Sequence, residues 1–293
     1  MVAITLKPWS GLGRYPRVLT IAGTDPTGGA GLHADLRTFA ALKAYGMGVV
    51  TSIVAQNTTG VRTFELVSPE LIQAQLQAVS DDVQIDAVKI GMLGGVDQIR
   101  AVSDWIKNSG VRPVVVDPVM VATSGDLLFD GEVVADLIEF CRLADLITPN
   151  LGELGVMVGA QRATTWEQAQ EQAIALVKEL DTAVLLKGGH FASADSRDAL
   201  VVPGVLDFAG KPSEPRVVSQ LLSSRVETKN THGTGCSLSA ALAALYPRYG
   251  EWAEVFPIAK AWLWQAINEA DGLQVGAGNG PIDHLAMDVS LPE

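Results

Sequence analysis

One segment of the chain combines glycines, hydroxyls and a thiol in a spacing suited to phosphate chemistry: Asn230-Thr231-His232-Gly233-Thr234-Gly235-Cys236. An Ala-rich, helix-like run follows it. The glycines let the backbone approach a ligand closely, and the unpaired N–H groups of a helix start favour a phosphoryl group. Cys236 is expected at the first or second helical position, where the dipole favours a thiolate that assists proton removal from an attacking hydroxyl. The alternative is a glycine turn capping the helix, with Cys236 a small buried hydrophobe.

Polar residues at predicted strand ends and helix starts form a second group of candidates. Asp117 follows four residues typical of a buried strand, and a carboxylate in that place needs a partner such as a metal ion. Asn150 and Glu153 stand three apart at a helix start, so they face the same way and form a possible second ligand set for magnesium. An ordinary N-cap with an acidic first turn explains that pair equally well.

Three further side chains are suited to ligand recognition. Gln56 ends an apolar strand, and its amide offers the adjacent donor and acceptor that an aminopyrimidine requires. Asp35 lies one turn into a helix. Its carboxylate either interacts favourably with the helix dipole or accepts a hydrogen bond from a ligand amino or hydroxyl group. Lys187 can reach a phosphate as a point charge. The alternative for Gln56 is that its amide forms hydrogen bonds with nearby backbone. The alternative for Lys187 is a surface lysine whose aliphatic chain covers apolar surface while its ammonium group stays in water.

Alternating strands and helices must position these residues. The pattern predicts strands at 18–23, 49–57, 86–91, 113–118, 143–148 and 183–188, and helices at 32–45, 69–79, 132–141, 166–180, 234–245 and 252–273. Short antiparallel edge strands are expected at 199–202, 206–208 and 216–218. Such alternation predicts an α/β fold with a parallel sheet covered by helices on both faces. Ligands then bind beyond the carboxyl ends of the strands, so one crevice is expected to be lined by Gly23, Asn57, Gly91, Asp117, Asn150 and Gly188.

Composition excludes several classes of protein. The 293 residues are 48% hydrophobic and 18% charged, with a net charge of −12, which argues against a nucleic-acid partner. Two cysteines are too few for a disulfide framework or a zinc site, and both are expected to be reduced in a cytoplasmic protein. No apolar run is long enough for a membrane span. Residues 1–17 are predicted to form a flexible leader, and residues 18–293 a single domain.

Nine motifs in order resemble the hydroxymethylpyrimidine/phosphomethylpyrimidine kinase family, from Val18 to about His284. They are Thr20-Ile21-Ala22-Gly23-Thr24-Asp25-Pro26-Thr27-Gly28-Gly29-Ala30-Gly31, Ala34-Asp35-Leu36, Val54-Ala55-Gln56-Asn57-Thr58, Lys89-Ile90-Gly91-Met92-Leu93, Asp117-Pro118-Val119-Met120, Thr123-Ser124-Gly125-Asp126, Thr148-Pro149-Asn150-Leu151-x-Glu153, Lys187-Gly188-Gly189-His190 and the segment ending at Cys236. The order of the motifs makes the resemblance specific. The larger group is the ribokinase-like superfamily.

The resemblance implies a ribokinase-like, three-layer αβα fold with a central, mostly parallel sheet and a small β flap. It implies ATP-dependent phosphorylation of 4-amino-5-hydroxymethyl-2-methylpyrimidine to the monophosphate and then the diphosphate, in thiamin biosynthesis, by a magnesium-dependent cytoplasmic homodimer. The residues that it implies for the pyrimidine are Gln56, Asp35, Gly23, Met92 and Val119; for catalysis Gly233, Thr234, Gly235 and Cys236; for ATP Lys187, Asp117, Asn150 and Thr231; and for Mg²⁺ Asp117 and Glu153.

Two alternatives remain at this point. A pyridoxal or pyridoxine kinase of the same branch shares the Cys motif, although Gln56 and Met92 suit a small aminopyrimidine. A non-catalytic pyrimidine-binding protein on a kinase scaffold is the other, but such proteins typically lose the anion site or the metal ligands, which are present here. The leader and the tail, Met287 to Glu293, depart from the family pattern without touching the predicted site.

Overall fold

A computed structural model describes residues 3–8, 15–120, 131–189, 191, 195–205 and 213–291. Its elements follow in chain order: β1 (Ala3–Thr5), β2 (Arg17–Ala22), α1 (Gly31–Ala41), β3 (Tyr45–Val50), β4 (Ser52–Asn57), β5 (Gly60–Leu66), α2 (Pro69–Ser80), β6 (Ala87–Ile90), α3 (Val96–Ser109), β7 (Val114–Val116), α4 (Gly131–Phe140), β8 (Leu146–Ile147), α5 (Leu151–Met157), α6 (Trp166–Leu180), β9 (Ala183–Lys187), β10 (Asp195–Val202), β11 (Arg216–Ser224), α7 (Thr234–Tyr249), α8 (Trp252–Asn268) and β12 (Asp288–Ser290). Short 3₁₀ turns follow α4, at Cys141–Leu143, and α8, at Ala270–Leu273. None of the helices described has the length and apolar character needed to cross a membrane.

The chain divides into two compact units, Met1–Asp117 with Val226–Glu293, and Pro118–Arg225. The first unit contains a parallel sheet in the order β7-β6-β2-β3. Its central strands are almost wholly buried because they are apolar runs, as expected for a parallel sheet covered by helices. Gly23, Gly91 and Asp117 follow the carboxyl ends of adjacent strands, as predicted, and the crevice that they are expected to line stays a prediction.

Helix α7 lies at the core of the first unit. Residues 237–245 are all buried, and α7 packs against α1, α8 and β6. Its run of alanines permits this because small side chains let neighbouring backbones come close. The helix continues to Tyr249, four residues beyond the predicted end, and Gly250 in the left-handed conformation terminates it.

A β-hairpin replaces part of the predicted second strand. Residues 49–57 form two strands, because the chain breaks at Thr51, whose hydroxyl donates to the carbonyl of Met92 at 2.7 Å. Strand β4 then pairs with β5 in an antiparallel hairpin outside the main sheet. Asn57 therefore ends a hairpin strand, which corrects its predicted position at the edge of the parallel sheet.

The second unit contains β8 parallel to β9, with β10 and β11 added in antiparallel pairing. Antiparallel strands were predicted here, but β10 and β11 are longer than the short strands expected. The predicted strand 206–208 lies outside the described residues, as do Thr123-Ser124-Gly125-Asp126 and His190. Helix α6 has the predicted bounds, and strand β9 ends at Lys187, one residue before the predicted end. Thr165 accepts a hydrogen bond from the backbone of Gln168 and so caps α6.

The chain ends meet in the first unit. Strand β1 pairs with β12 in parallel, from Ala3 with Asp288 to Thr5 with Ser290, and Leu6 is only 1% exposed. The backbone N–H of Lys7 donates to the Tyr249 hydroxyl at 3.2 Å. The prediction of a flexible leader is therefore wrong for residues 3–8, because they gain both a strand partner and a buried apolar anchor. A single domain over residues 18–293 stays a prediction.

Candidate active site

The start of α7 is built on a left-handed glycine. Gly233 is the N-cap residue with φ of +79°, and a Cβ there would overlap the carbonyl oxygen of Gly29. Only glycine permits both the conformation and this close approach. Because Thr234 is the first helical residue, Cys236 is the third, rather than the first or second as predicted. The N–H groups of the first turn remain without intrahelical partners, as an anion site requires.

A buried acid connects the loop before α1 to the segment before α7. Asp25 is 0% exposed, and its carboxylate lies 2.8 Å from Nε2 of His232 and accepts from the N–H groups of Thr27 and Ala30. Burial alone raises the pKa of Asp25, but the hydrogen bonds from His232 and Thr27 outweigh it and place the pKa well below its usual range. The ionised Asp25 thus fixes the two glycine loops together. Sequence reasoning missed this pair, although Asp25 opens the first glycine motif.

A lysine lies at the centre of the parallel sheet beneath this site. Lys89 and Asp35 are both 0% exposed and form an ion pair at 2.8 Å between Nζ and Oδ2. The Thr20 hydroxyl donates to the same oxygen at 2.5 Å. Burial lowers the pKa of Lys89, but Asp35, Cys236 and Asp117 together outweigh this effect and raise it. Asp35 Oδ1 is buried without a hydrogen-bond partner among the described residues, so it is available to a ligand donor.

Cys236 lies within electrostatic range of this buried pair. Burial raises the pKa of the Cys236 thiol, and the positive charge of Lys89 and the N–H of Gly31 oppose that rise without cancelling it. Burial thus acts against the thiolate that the helix dipole is expected to favour, and the role of Cys236 in proton removal stays a prediction.

Three of the residues predicted for pyrimidine recognition lie together in the first unit. A Cβ on Gly23 would come within 3.0 Å of Met92 Cε, so those two residues lie together. The amide of Gln56 contributes to the low pKa of Asp25, so it lies beside that carboxylate. Since residues 23 and 25 belong to one loop, the structure brings Gly23, Met92 and Gln56 to the same region. Val119 belongs to the second unit and is partly exposed.

The predicted phosphate and metal residues of the second unit are adjacent. Asn150 and Glu153 form a capping box: Asn150 accepts from the N–H groups of Gly152 and Glu153, and Glu153 accepts from the Asn150 N–H at 2.8 Å. This is the N-cap alternative raised from the sequence. Asn150 forms an isolated parallel β-bridge with Lys187, the last residue of β9. The structure therefore brings Asn150, Glu153 and Lys187 together.

Asp117 follows β7 in the first unit and is 3% exposed. Its N–H donates to the Ile90 carbonyl at 2.9 Å, which fixes it at the carboxyl end of the sheet. Within the described ranges, no three His, Cys, Asp or Glu residues converge as a metal-binding group. Mg²⁺ commonly takes only one or two carboxylates and completes its shell with phosphates and water. The donor chemistry of Asp117 fits such a partial site.

A surface cavity of about 480 Å³ adjoins the segment that leads into α7. Its lining combines charged, amide and apolar groups, from Glu227, Thr228, Lys229, Asn230, Asp271, Gln274, Val275 and Gly276. The side-chain oxygen of Asp271 accepts from Asn230 Nδ2 at 2.7 Å, which shapes one wall. Sequence reasoning did not predict this cavity, because its walls come from segments more than forty residues apart.

The fold defines a class of small-molecule kinases. The ADP complex of Bacillus subtilis pyridoxal kinase matches with a TM-score of 0.80 and 33% identity, over 93% of this chain and 98% of that one. A phosphomethylpyrimidine kinase from Clostridium difficile matches with a TM-score of 0.72 and 33% identity, over 86% and 99%. These neighbours confirm the predicted ribokinase-like α/β class.

The chain belongs to the phosphomethylpyrimidine kinase family, whose model matches residues 25–283. It is 47% identical to the hydroxymethylpyrimidine/phosphomethylpyrimidine kinase of Salmonella typhimurium and 46% identical to that of Escherichia coli, over 91% of this chain and 96% of each relative. It is 45% identical to the multifunctional protein ThiED of Corynebacterium efficiens but spans 35% of that longer chain. The predicted family is confirmed.

Proposed function

We propose that the chain uses ATP to phosphorylate 4-amino-5-hydroxymethyl-2-methylpyrimidine to its monophosphate and then to the diphosphate, for thiamin biosynthesis in the cytoplasm. The observation that carries the proposal is the contact between the two glycine loops. Asp25 and Gly29 hold the loop predicted to bind the pyrimidine directly against the start of α7, where a phosphoryl group is accommodated best.

On the acceptor side, Gln56 pairs with the ring nitrogen and amino group while Gly23, Met92 and Val119 contact the ring. Asp35 offers Oδ1 to a ligand donor; burial raises the pKa of this carboxyl group, and the positive charge of Lys89 opposes that rise. Cys236 assists removal of the hydroxyl proton as the phosphoryl group arrives. Because burial raises the pKa of this thiol, the backbone N–H groups of Gly233 and Gly235 contribute most of the charge stabilisation. Thr234 positions the turn, since its own N–H donates to the Thr231 carbonyl at 3.3 Å.

On the donor side, Lys187, Asn150 and Thr231 bind the ATP phosphates together with Asp117. Mg²⁺ is held by Asp117 and Glu153, and when bound it neutralises charge on the phosphates. Support comes from the position of each side chain at a strand end or helix start in its own unit. The surface cavity beside Lys229 suits the remainder of the nucleotide, since it opens next to the segment that leads into α7.

A pyridoxal kinase activity is the second candidate. The TM-score to the Bacillus subtilis pyridoxal kinase, 0.80, exceeds that to the Clostridium difficile phosphomethylpyrimidine kinase, 0.72. The higher identity to the two bacterial hydroxymethylpyrimidine kinases favours the pyrimidine. A non-catalytic role is disfavoured because Gly233, Cys236 and Asp117 are all present.

A substrate screen tests the proposal. ADP release is measured with the hydroxymethylpyrimidine, its monophosphate and pyridoxal, and the phosphorylated products are identified by mass spectrometry. Turnover of both pyrimidines ahead of pyridoxal is expected. Faster pyridoxal turnover would reverse the ranking, and pyrimidine binding without ADP release would support the non-catalytic alternative.

Gln56→Leu is expected to raise the pyrimidine KM by about tenfold or more, because a buried polar edge of the substrate loses its partner. The matched control is Gln73→Leu on the exposed face of α2, which is expected to leave the KM unchanged. Steady-state kinetics measures both values. An unaltered KM in Gln56→Leu would remove this residue from the pyrimidine site.

The proposed assembly is a homodimer formed through the β4–β5 hairpin. Ile53, Val61 and Phe64 on this hairpin are 64%, 61% and 55% exposed, and a second copy offers the matching apolar surface. Phe64→Glu is therefore expected to shift the protein from dimer to monomer in sedimentation velocity. Leu285→Glu, at a residue 77% exposed outside the hairpin, is the control expected to stay dimeric. A dimeric Phe64→Glu variant would place the interface elsewhere.

A further inference from the structure

A glycine-rich loop, residues 274–281, joins three parts of the first unit. Its sequence is Gln274-Val275-Gly276-Ala277-Gly278-Asn279-Gly280-Pro281, and we name it the connecting loop. It follows the 3₁₀ turn after α8. Each part that it contacts belongs to a different piece of the proposed site, so the loop connects those pieces to one another.

The first contact is the tip of the β4–β5 hairpin. The N–H of Gly278 donates to Thr58 Oγ1 at 3.1 Å, and the N–H of Asn279 donates to the Thr58 carbonyl at 2.9 Å. Thr58 stands two residues after Gln56, with Asn57 ending β4 between them. The loop therefore holds the hairpin at the end nearest the predicted pyrimidine-binding amide.

The second contact is the segment before α7. The N–H of Gly280 donates to Asn230 Oδ1 at 2.9 Å, and the N–H of His232 donates to the Gly280 carbonyl at 3.1 Å. His232 in turn pairs with Asp25. The connecting loop thus shares backbone hydrogen bonds with the proposed phosphoryl site and with the tip of the hairpin.

The third contact is the surface cavity. Gln274, Val275 and Gly276 line it together with Lys229, and Lys229 Nζ donates to the Ala277 carbonyl at 3.3 Å. A molecule bound in this cavity touches the connecting loop directly. The base and ribose of a nucleotide match its chemistry, because the lining offers amide and backbone groups beside Lys229, whereas the carboxylates of Glu227 and Asp271 disfavour phosphates.

Close packing prevents the connecting loop from absorbing a displacement. Gly276 has φ of +73°, and a Cβ on it would overlap Thr58 Oγ1; a Cβ on Gly278 would overlap the Thr58 carbonyl oxygen. Since Gly276 lies against the Thr58 side chain and Gly278 against the Thr58 backbone, a change in the loop position is passed to Thr58. The contact with Thr58 is therefore suited to transmit a small movement.

We infer that the connecting loop couples nucleotide in the surface cavity to pyrimidine binding at Gln56, with Thr58 as the positioning residue. This rests on the proposed function. Nucleotide contact with residues 274–276 orders the loop, and the Gly278–Thr58 hydrogen bond fixes the hairpin with the Gln56 amide in its binding position. Each ligand then strengthens binding of the other by the same factor, as linkage requires.

Calorimetric titration of the hydroxymethylpyrimidine, with and without saturating ADP, tests this inference. In the wild type, ADP is expected to tighten pyrimidine binding by about fivefold or more. Thr58→Val removes the hydroxyl acceptor with little change of volume, and is expected to reduce this factor to below about twofold while leaving the Kd of ADP alone unchanged. In turnover, its pyrimidine KM rises while kcat stays within about twofold.

Two variants serve as controls. Thr58→Ser keeps the hydroxyl and is expected to keep the wild-type coupling factor. Thr59→Val removes a neighbouring hydroxyl that donates to Asn57 within the hairpin tip, its one hydrogen bond among the residues that the structure describes, and is also expected to keep the wild-type coupling factor. Two results would overturn the inference, provided that ADP release with the pyrimidine is normal. One is a coupling factor in Thr58→Val equal to that of the wild type, and the other is a wild type that shows no coupling. A wild type that releases no ADP with the pyrimidine instead overturns the proposed function.

Discussion

Gly233→Ala is expected to lower kcat/KM for the pyrimidine by about a hundredfold or more, the order of loss seen when preorganised N–H donors are displaced. The added Cβ overlaps the Gly29 carbonyl oxygen, and Gly233 has φ of +79°. The start of α7 must then move away from the loop before α1, which misaligns the phosphoryl site relative to the pyrimidine. Coupled measurement of ADP release gives the value.

Gly250→Ala is the matched control for this variant. Gly250 ends the same helix with φ of +76°, but a Cβ there meets nothing within 4 Å. Both variants carry a left-handed alanine, which costs about 1 kcal/mol of stability. Only Gly233→Ala carries the overlap. Equal activities in the two variants would show that the contact between the glycine loops has no part in catalysis.

Lys89→Met is expected to lower the free energy of unfolding by about 3–5 kcal/mol, because it leaves the buried Asp35 carboxylate without its counter-charge. Both groups are fully buried, so solvent cannot replace the lost partner. Urea denaturation measures the change. Lys107→Met removes an exposed lysine from α3 and is expected to change stability by less than about 0.5 kcal/mol.

The double variant Lys89→Met/Asp35→Asn separates charge from packing. Removal of both charges is expected to restore more than half of the lost stability, because no unpaired buried ion remains. Its activity is expected to stay low, because Asp35 Oδ1 no longer offers a carboxylate oxygen to the ligand. A double variant no more stable than Lys89→Met alone would show that the lysine acts through packing rather than through its charge.

Much of the parallel sheet was predictable because most residues of its central strands are apolar. Helix α6 has the predicted bounds, since Thr165 and Asp181 mark its two ends, and strand β9 is one residue shorter than predicted. The hairpin was not predictable from periodicity. All seven residues of β5 are exposed, so no alternation of buried and exposed positions distinguishes it from a loop.

The site was partly predictable for a related reason. The spacing of glycines before an Ala-rich run identified Gly233 and Cys236, because glycines that permit a close backbone approach are visible in the local sequence. The pairing of Asp25 with His232 joins residues 207 positions apart, and no local pattern reports it. Lys89 similarly reads as a polar break within an apolar strand. Its role depends on Asp35, which a different element supplies.

The pairing of β1 with β12 makes two segments far apart in the sequence depend on each other. Ala3 lies opposite Asp288 and Thr5 opposite Ser290, so each strand is the other's partner in a two-stranded sheet. Removal of residues 3–5 would therefore take the ladder partner from residues 288–290, and the two segments are expected to open together in hydrogen exchange.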